Sequence, residues 1–196
     1  MGYHERLWRE LPDLPPEHFE IRLAFVIAAL EPGSTVLDVG CGGGWFSAAL
    51  AREGFSVAGF DVAEEPVRRA RARCADLEFH VVRGAELPFG AGTFAAAWMG
   101  EVLEHVQDGL ELLAEVARVL GPGGRLVLTT PDHGWARRLW LGVSRRAFEG
   151  HFEPRSDHLR FFTAHSLEGL LAAGGFEEIA IRRARGVLLA TARAAR

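Results

Sequence analysis

Apolar residues recur at helical spacing over residues 17–30, where Phe19, Leu23, Val26, Ile27 and Leu30 share one face. Glu31-Pro32-Gly33 ends that run. A β-rich stretch, 35–39, leads into Gly40-Cys41-Gly42-Gly43-Gly44. The pattern then predicts a helix over 45–52, a strand over 55–60 ending at Asp61, a solvated Arg-rich helix over 64–74 and a strand over 77–82. Residues 93–98 are small and apolar throughout, as a central parallel strand should be. Leu110, Leu113, Val116, Ala117 and Leu120 mark a helix over 107–120, and Gly121-Pro122-Gly123-Gly124 turns the chain into a strand over 125–130. Residues 132–162 show no clean period. Thr163 is placed to cap a helix that runs to Ala173 and stops at Gly174-Gly175. Two strands, 176–182 and 187–192, complete the pattern.

Strand and helix alternating through five strands imply parallel pairing by right-handed crossovers. The last two strands are joined by so few residues that they must run antiparallel. The expected class is α/β: a doubly wound, mostly parallel seven-stranded sheet with an antiparallel last strand. Ligands on such sheets sit beyond the carboxyl ends of the strands, at the switch in strand order.

A chain of 196 residues suits one domain over 1–196, with 132–162 as a lid or substrate-cover insertion. No apolar run approaches the ~20 residues of a membrane span, and the opening MGYHERLWRE lacks the apolar stretch of a secretory leader. A soluble, cytoplasmic protein is expected. All 22 basic residues are Arg. Without Lys there is neither a Walker-type phosphate loop nor a Schiff base to pyridoxal phosphate. Cys41 and Cys74 form no CxxC, so neither a zinc signature nor a disulfide framework is expected. No clustered His, Cys and carboxylate spacing suggests a metal. The net charge of −4 argues against nucleic acid as partner. Charge is uneven, however: residues 132–162 carry +2 and the remainder −6.

The chemistry concentrates around Asp38-Val39-Gly40-Cys41-Gly42-Gly43-Gly44-Trp45. Glycines let a ligand approach the backbone with no Cβ in the way. A dinucleotide fingerprint would need a third glycine where Trp45 stands. The pattern that fits is Asp-x-Gly-x-Gly-x-Gly, with Asp38 offering a negative charge to a ligand's ammonium. Asp61 lies 21 residues after Gly40, where a carboxylate accepts both hydroxyls of a ribose; the plainer role is to cap the next helix.

These residues resemble class I S-adenosylmethionine-dependent methyltransferases over about residues 20–193. Leu87-Pro88-Phe89, Glu101-Val102-Leu103-Glu104-His105-Val106 and Gly121-Pro122-Gly123-Gly124 fall in family order. Within the class the chain looks most similar to the polyprenyl-dihydroxybenzoate O-methyltransferases of ubiquinone synthesis, through Asp38–Gly44, Leu103–Val106 and Arg22, 18 residues before Gly40. The resemblance implies a Rossmann-like methyltransferase fold with S-adenosyl-L-methionine as cofactor and S-adenosyl-L-homocysteine as product. It implies that Gly40, Cys41 and Gly42 line the methionine part, that Asp61 holds the ribose, and that Val62 packs on adenine. By the same resemblance Gly84, Ala85 and Glu86 border the adenine edge, Gly100 and Glu101 lie below the sulfonium, and Arg22 reaches the donor carboxylate; an exposed helix Arg is the alternative for Arg22. Arg83 stands where many relatives carry an acidic residue, so the adenine amino contact is expected from backbone or from Glu86. The resemblance to the ubiquinone type fades after Pro131.

Methyl transfer is an in-line displacement in which the protein mainly supplies alignment, worth about 7–11 kcal/mol. A phenolic acceptor, with an unperturbed pKa of ~10, gains from a base, and His is the usual one. Of His105, His133, His151 and His158, the expected catalytic pair is His105 and His158. The alternatives are that His105 orders its loop and that His158 bonds Asp157 or a backbone group. Trp135, Leu139, Trp140, Val143 and Phe148, interleaved with Arg137-Arg138 and Arg145-Arg146, read as a lid whose aromatic side packs on the core; peripheral contact with an anionic membrane, or with a prenylated substrate, is the other reading. The expected activity is methyl transfer to a small-molecule acceptor, oxygen favoured. A nicotinamide-dependent oxidoreductase and a donor-binding module without turnover are the alternatives.

Overall fold

Seven strands form one mixed sheet in the computed structural model, which describes residues 3–84, 86–151 and 158–195. Ala85 and Asp157 fall outside those residues, as do the side chains of Arg137 and Arg138. The elements are α1 (Tyr3–Glu10), α2 (Phe19–Ala29), β1 (Thr35–Val39), α3 (Trp45–Arg52), β2 (Ser56–Asp61), α4 (Glu64–Arg73), β3 (Glu78–Val81), β4 (Ala96–Gly100), α5 (Gly109–Leu120), β5 (Arg125–Pro131), α6 (Trp135–Val143), α7 (Arg145–His151), α8 (Ala164–Ala173), β6 (Phe176–Ala184) and β7 (Val187–Ala194). The order across the sheet is β3-β2-β1-β4-β5-β7-β6. β7 runs antiparallel to both β5 and β6, and all other pairs are parallel.

Both faces of the sheet are covered, which is why its strands read as unbroken apolar runs. Leu37, Val39, Met99, Leu126 and Leu128 pack with Leu113 and Val116 of α5 and Leu167 of α8. Their sequence neighbours Val36, Trp98 and Val127 point to the other face and pack with Val26 of α2 and Leu50 of α3.

Several boundaries move from the sequence expectation. β4 begins at Ala96 and extends to Gly100. α5 begins at Gly109, where Asp108 accepts a bond from Glu111 N at 3.0 Å and so caps it. β6 and β7 each run longer and meet at Arg185-Gly186, both at positive φ (48° and 83°), the backbone that a two-residue hairpin turn needs. Thr163 caps α8 in a reciprocal pair with Ser166.

Two expectations are corrected. The 64–74 stretch is not a freely solvated helix, because Arg69 and Arg73 turn toward the N-terminal segment. Arg69 donates to the carbonyls of Trp8 (2.6 Å) and Leu11 (2.9 Å), and Arg73 to Asp13 (2.6 Å). In the 132–162 segment, α6 and α7 do not lay an aromatic side on the core. Trp135 is 73% exposed, Trp140 61%, Val143 71% and Phe148 51%. Among the described residues no helix is long and apolar enough to cross a membrane.

Candidate functional site

The sheet switches direction of winding between β1 and β4, so the chain leaves those neighbouring strands toward opposite sides and opens a crevice at their ends. A cleft of about 1190 Å³ lies there, walled by the ends of β1, β2, β4 and β5 and by the 4–18 segment.

Gly40 and Gly42 shape one end. Gly40 has φ 66°, and a Cβ there would meet Val102 Cγ2 at 2.7 Å; Gly42 has φ 53°, and a Cβ there would meet the Trp8 ring at 2.9 Å. A side chain at either position would strain the turn and collide with Val102 or Trp8. Cys41 lies between them, buried, its amide donating to Phe60 O at 2.8 Å. Burial pushes its thiol well above the usual range.

Asp61, at the end of β2, accepts from Gly42 N (3.1 Å) through Oδ2 and from Ala63 N (3.2 Å) through Oδ1. It therefore ties the glycine turn to the start of α4 while lining the cleft. A carboxylate offers about four acceptor sites, so these backbone bonds leave capacity for a ligand hydroxyl. Burial raises its pKa, and the backbone N–H groups partly offset that. Val62 is 48% exposed and offers an apolar cleft face; Gly84 also lines the cleft. Glu86 is exposed and lies off the cleft wall, so the structure does not bring it to the expected edge. Arg83 lines the cleft and pairs with Glu64 at 2.7 Å.

Asp38 is buried in β1, its Oδ2 accepting from Ser47 Oγ at 2.5 Å. Burial pushes its carboxyl up to about 7, with Ser47 opposing and Asp61 adding to the rise. Arg22 is 4% exposed, not an exposed helix Arg. Its Nε donates to Thr129 Oγ1 (3.1 Å) and Nη1 to Glu17 O (3.2 Å), and its guanidinium lies 5.0 Å from the Phe46 ring and 5.7 Å from that of Trp98. Burial lowers its pKa while Glu101, Glu104 and Asp38 hold it charged. Ser47, Thr129 and these rings were not singled out from sequence. A serine inside an otherwise apolar helix face was the one available signal.

Gly100 ends β4 with Arg22 and Trp98 packed against it, leaving no room for a side chain. Glu101 follows at φ 57°, a left-handed conformation rare for a non-glycine residue, and its Oε1 is buried with no hydrogen-bond partner. Glu104, which sequence reasoning assigned no role, is 1% exposed. Its Oε2 accepts from Thr130 Oγ1 at 3.0 Å, and Oε1 is buried without a partner. Burial pushes it up to about 8, with the neighbouring Glu101 adding to the rise.

His105 and His158 meet at this end of the cleft, ring centroids 4.8 Å apart and edge to face. The fold sets Glu104 beside them: one carboxylate oxygen and one nitrogen from each ring lie within 4.8 Å of one another, a grouping no sequence spacing announced. His133 and His151 pair elsewhere, 5.0 Å apart, and His151 lines a separate cavity of about 740 Å³ beneath α6 and α7.

Residues 7–181 match the family model described as "Methyltransferase domain". The chain is 41% identical over 116 residues to a ubiquinone biosynthesis O-methyltransferase of Xanthomonas axonopodis pv. citri, covering 56% of this chain and 48% of that one. It is 40% identical over 144 residues to the Xanthomonas oryzae pv. oryzae protein of the same name, covering 70% and 60%. The chain thus spans about half the length of the curated relatives it matches. Among solved structures it is similar to a SAM-dependent methyltransferase of Methanosarcina mazei, 26% identical with TM-score 0.67 over 87% of this chain and 96% of that one. A protein of Pyrococcus horikoshii shares the fold, with TM-score 0.75 and 21% identity over 99% of each chain.

Proposed function

The chain belongs to the methyltransferase-domain family, and on that premise we propose that it moves a methyl group from S-adenosylmethionine to a small-molecule acceptor, oxygen being the atom methylated. The observation that carries this reading is the side-chain-free bend at Gly40 to Gly42 backed by Asp61. The residues present fit the donor: the turn at Gly40 to Gly42 lines the cleft, its two glycines bringing no side chain of their own, and a buried carboxylate and a buried guanidinium flank it. Asp38 and Arg22 would hold the amino-acid end, Gly40, Cys41 and Gly42 the thioether chain, Asp61 the ribose, and Val62 and Gly84 the adenine. Gly100 and Glu101 would lie beneath the sulfur. When bound, the donor supplies an activated methyl as a sulfonium.

The chain's own contribution is alignment and proton handling. His105 and His158 lie on the cleft wall beyond Glu101, where an acceptor hydroxyl would sit, and an imidazole there takes the hydroxyl proton as the new O–C bond forms. Oxygen as acceptor draws on the names of the Xanthomonas relatives. Residues 1–196 act in this reading as one donor-binding domain in the cytoplasm, with 132–162 beside the acceptor. The second cavity under α6 and α7 shares Gly186 with the main cleft, which supports that placement.

Equilibrium dialysis against S-adenosylhomocysteine and NAD tests the donor: the first is retained and the second is not. Donor-loaded protein offered phenols, amines and carboxylates then releases homocysteine equivalents with phenols. Retention of NAD alone would return the nicotinamide reading, and donor binding without turnover on any acceptor would favour a binding module.

A further inference from the structure

We propose that β6 is a docking edge for a second copy of this chain, the two copies pairing antiparallel, β6 to β6, about a two-fold axis at Ala180. The inference goes beyond methyl transfer and does not depend on it. β6 ends the sheet: it pairs with β7 on one side and, among the described residues, with no strand on the other. It runs from Phe176 to Ala184 and carries neither Pro nor Lys, two residues that blunt an edge. Glu177, Ala180 and Arg182 are exposed along it. An open edge of that length is a template for another strand. No residue of β6 walls the main cleft, so pairing there does not cover the donor site.

The charges along the edge select which strand that is. Arg183 is bound to Asp132 (3.1 Å) and Glu178 to Arg193 (3.1 Å) within the chain. Glu177 and Arg182 are left over. Among the described residues Glu177 makes no ion pair, and Arg182 lies over the Phe25 ring, 4.7 Å from its centroid, with no carboxylate partner. A bulge sets their spacing. Glu177 stands opposite Arg193 and Ala180 opposite Thr191, so three residues of β6 advance only two of β7, whereas Arg182, opposite Leu189, lies two residues further on in both strands. Glu177 and Arg182 are therefore equally far from Ala180, on one face of the sheet. With Ala180 facing its own copy, Glu177 of each copy meets Arg182 of the other, twice by symmetry. Opposite charges directly across a strand pair attract and like charges repel. Without the bulge Glu177 would face Arg183, and Arg182 would point to the other side of the sheet. The backbone ladder supplies the affinity, and the two charge pairs fix register and partner.

Sedimentation velocity tests this with two complementary variants. The unaltered protein is expected to show a monomer–dimer equilibrium, with dimer evident by about 100 µM, since an edge-to-edge interface is small and weak. Amide hydrogen exchange over residues 179–183 should slow across the same concentration range. Glu177→Arg and Arg182→Glu each set like charges opposite one another at both contacts, and each should raise the dimer Kd about tenfold. Mixed in equal amounts, the two variants should pair again at close to the original Kd, because every Arg then faces a Glu. Far-UV circular dichroism of both variants should match that of the unaltered protein, since both positions are exposed. A protein that stays monomeric to about 1 mM, a dimer whose Kd ignores both substitutions, or variants that do not rescue one another would each overturn the proposal. So would exchange at β6 that slows only when an extended peptide is added, which would give the edge to a different partner. No readout involves the methyl donor, so failure of the donor reading leaves this test intact.

Discussion

At position 40 a side chain has nowhere to go. Its backbone sits at φ 66° and its Cβ would lie 2.7 Å from Val102. Gly40→Ala combines a left-handed penalty of about 1–2 kcal/mol with displacement of the loop after β4, so it is expected to lower Tm by several degrees in calorimetry and to weaken S-adenosylhomocysteine binding at least tenfold. Asp38 makes a second argument at this scale. Its carboxyl, raised to about 7, must be ionised to pair with a ligand ammonium. Affinity for S-adenosylhomocysteine should therefore rise between pH 6 and 8 in titration calorimetry, and that slope should flatten in Asp38→Asn. An unchanged slope would move the ammonium away from Asp38.

Among the elements, α1 repays attention because no periodicity announced it. Its eight residues are held by polar contacts made at a distance in sequence. Glu5 Oε2 accepts from Glu64 N (2.9 Å) and Glu65 N (3.2 Å), capping α4 from another helix, and Arg69 grips the Trp8 carbonyl. Trp8 in turn closes over Gly42. Arg69→Ala should loosen this strap and speed S-adenosylhomocysteine dissociation in stopped flow, with little change in far-UV circular dichroism; an unchanged off-rate would show that α1 does not gate the donor. The strands and the glycine turn were legible because pleated apolar runs and glycines carry their meaning locally. The Glu104–His105–His158 grouping was not, because residue 158 reaches residue 104 only through the loop after β5 and the pairing of the Glu104 carbonyl with Leu159 and Arg160. The exposed face of α6 and α7 was misread for a related reason: an aromatic stripe states that it is apolar, not what it packs against.

For the whole molecule, the buried acids set a pH dependence. Asp38 at about 7 and Glu104 at about 8 both lie above their unfolded values of ~4. Between those limits the folded protein binds more protons than the unfolded chain, so their contribution is full below about pH 4 and is lost as pH rises through 7 and 8. Glu5, Asp13 and Glu115 shift the other way, and their contribution falls away in acid. Thermal unfolding without ligand should therefore show a Tm that declines from pH 6 to 8.5, a decline reduced in Glu104→Gln. A flat Tm over that range would show that these carboxyls are hydrated.

β7 follows the other six strands of this sheet in chain order, yet it lies inside the sheet between β5 and β6, with Leu188, Leu189 and Ala190 buried. A nascent chain still tethered at the ribosome carries a gap at that place, with the flank of β5 unpaired and adhesive. Closure of the sheet therefore waits on synthesis through residue 194, and until then β5 presents an open edge on which another strand could pair.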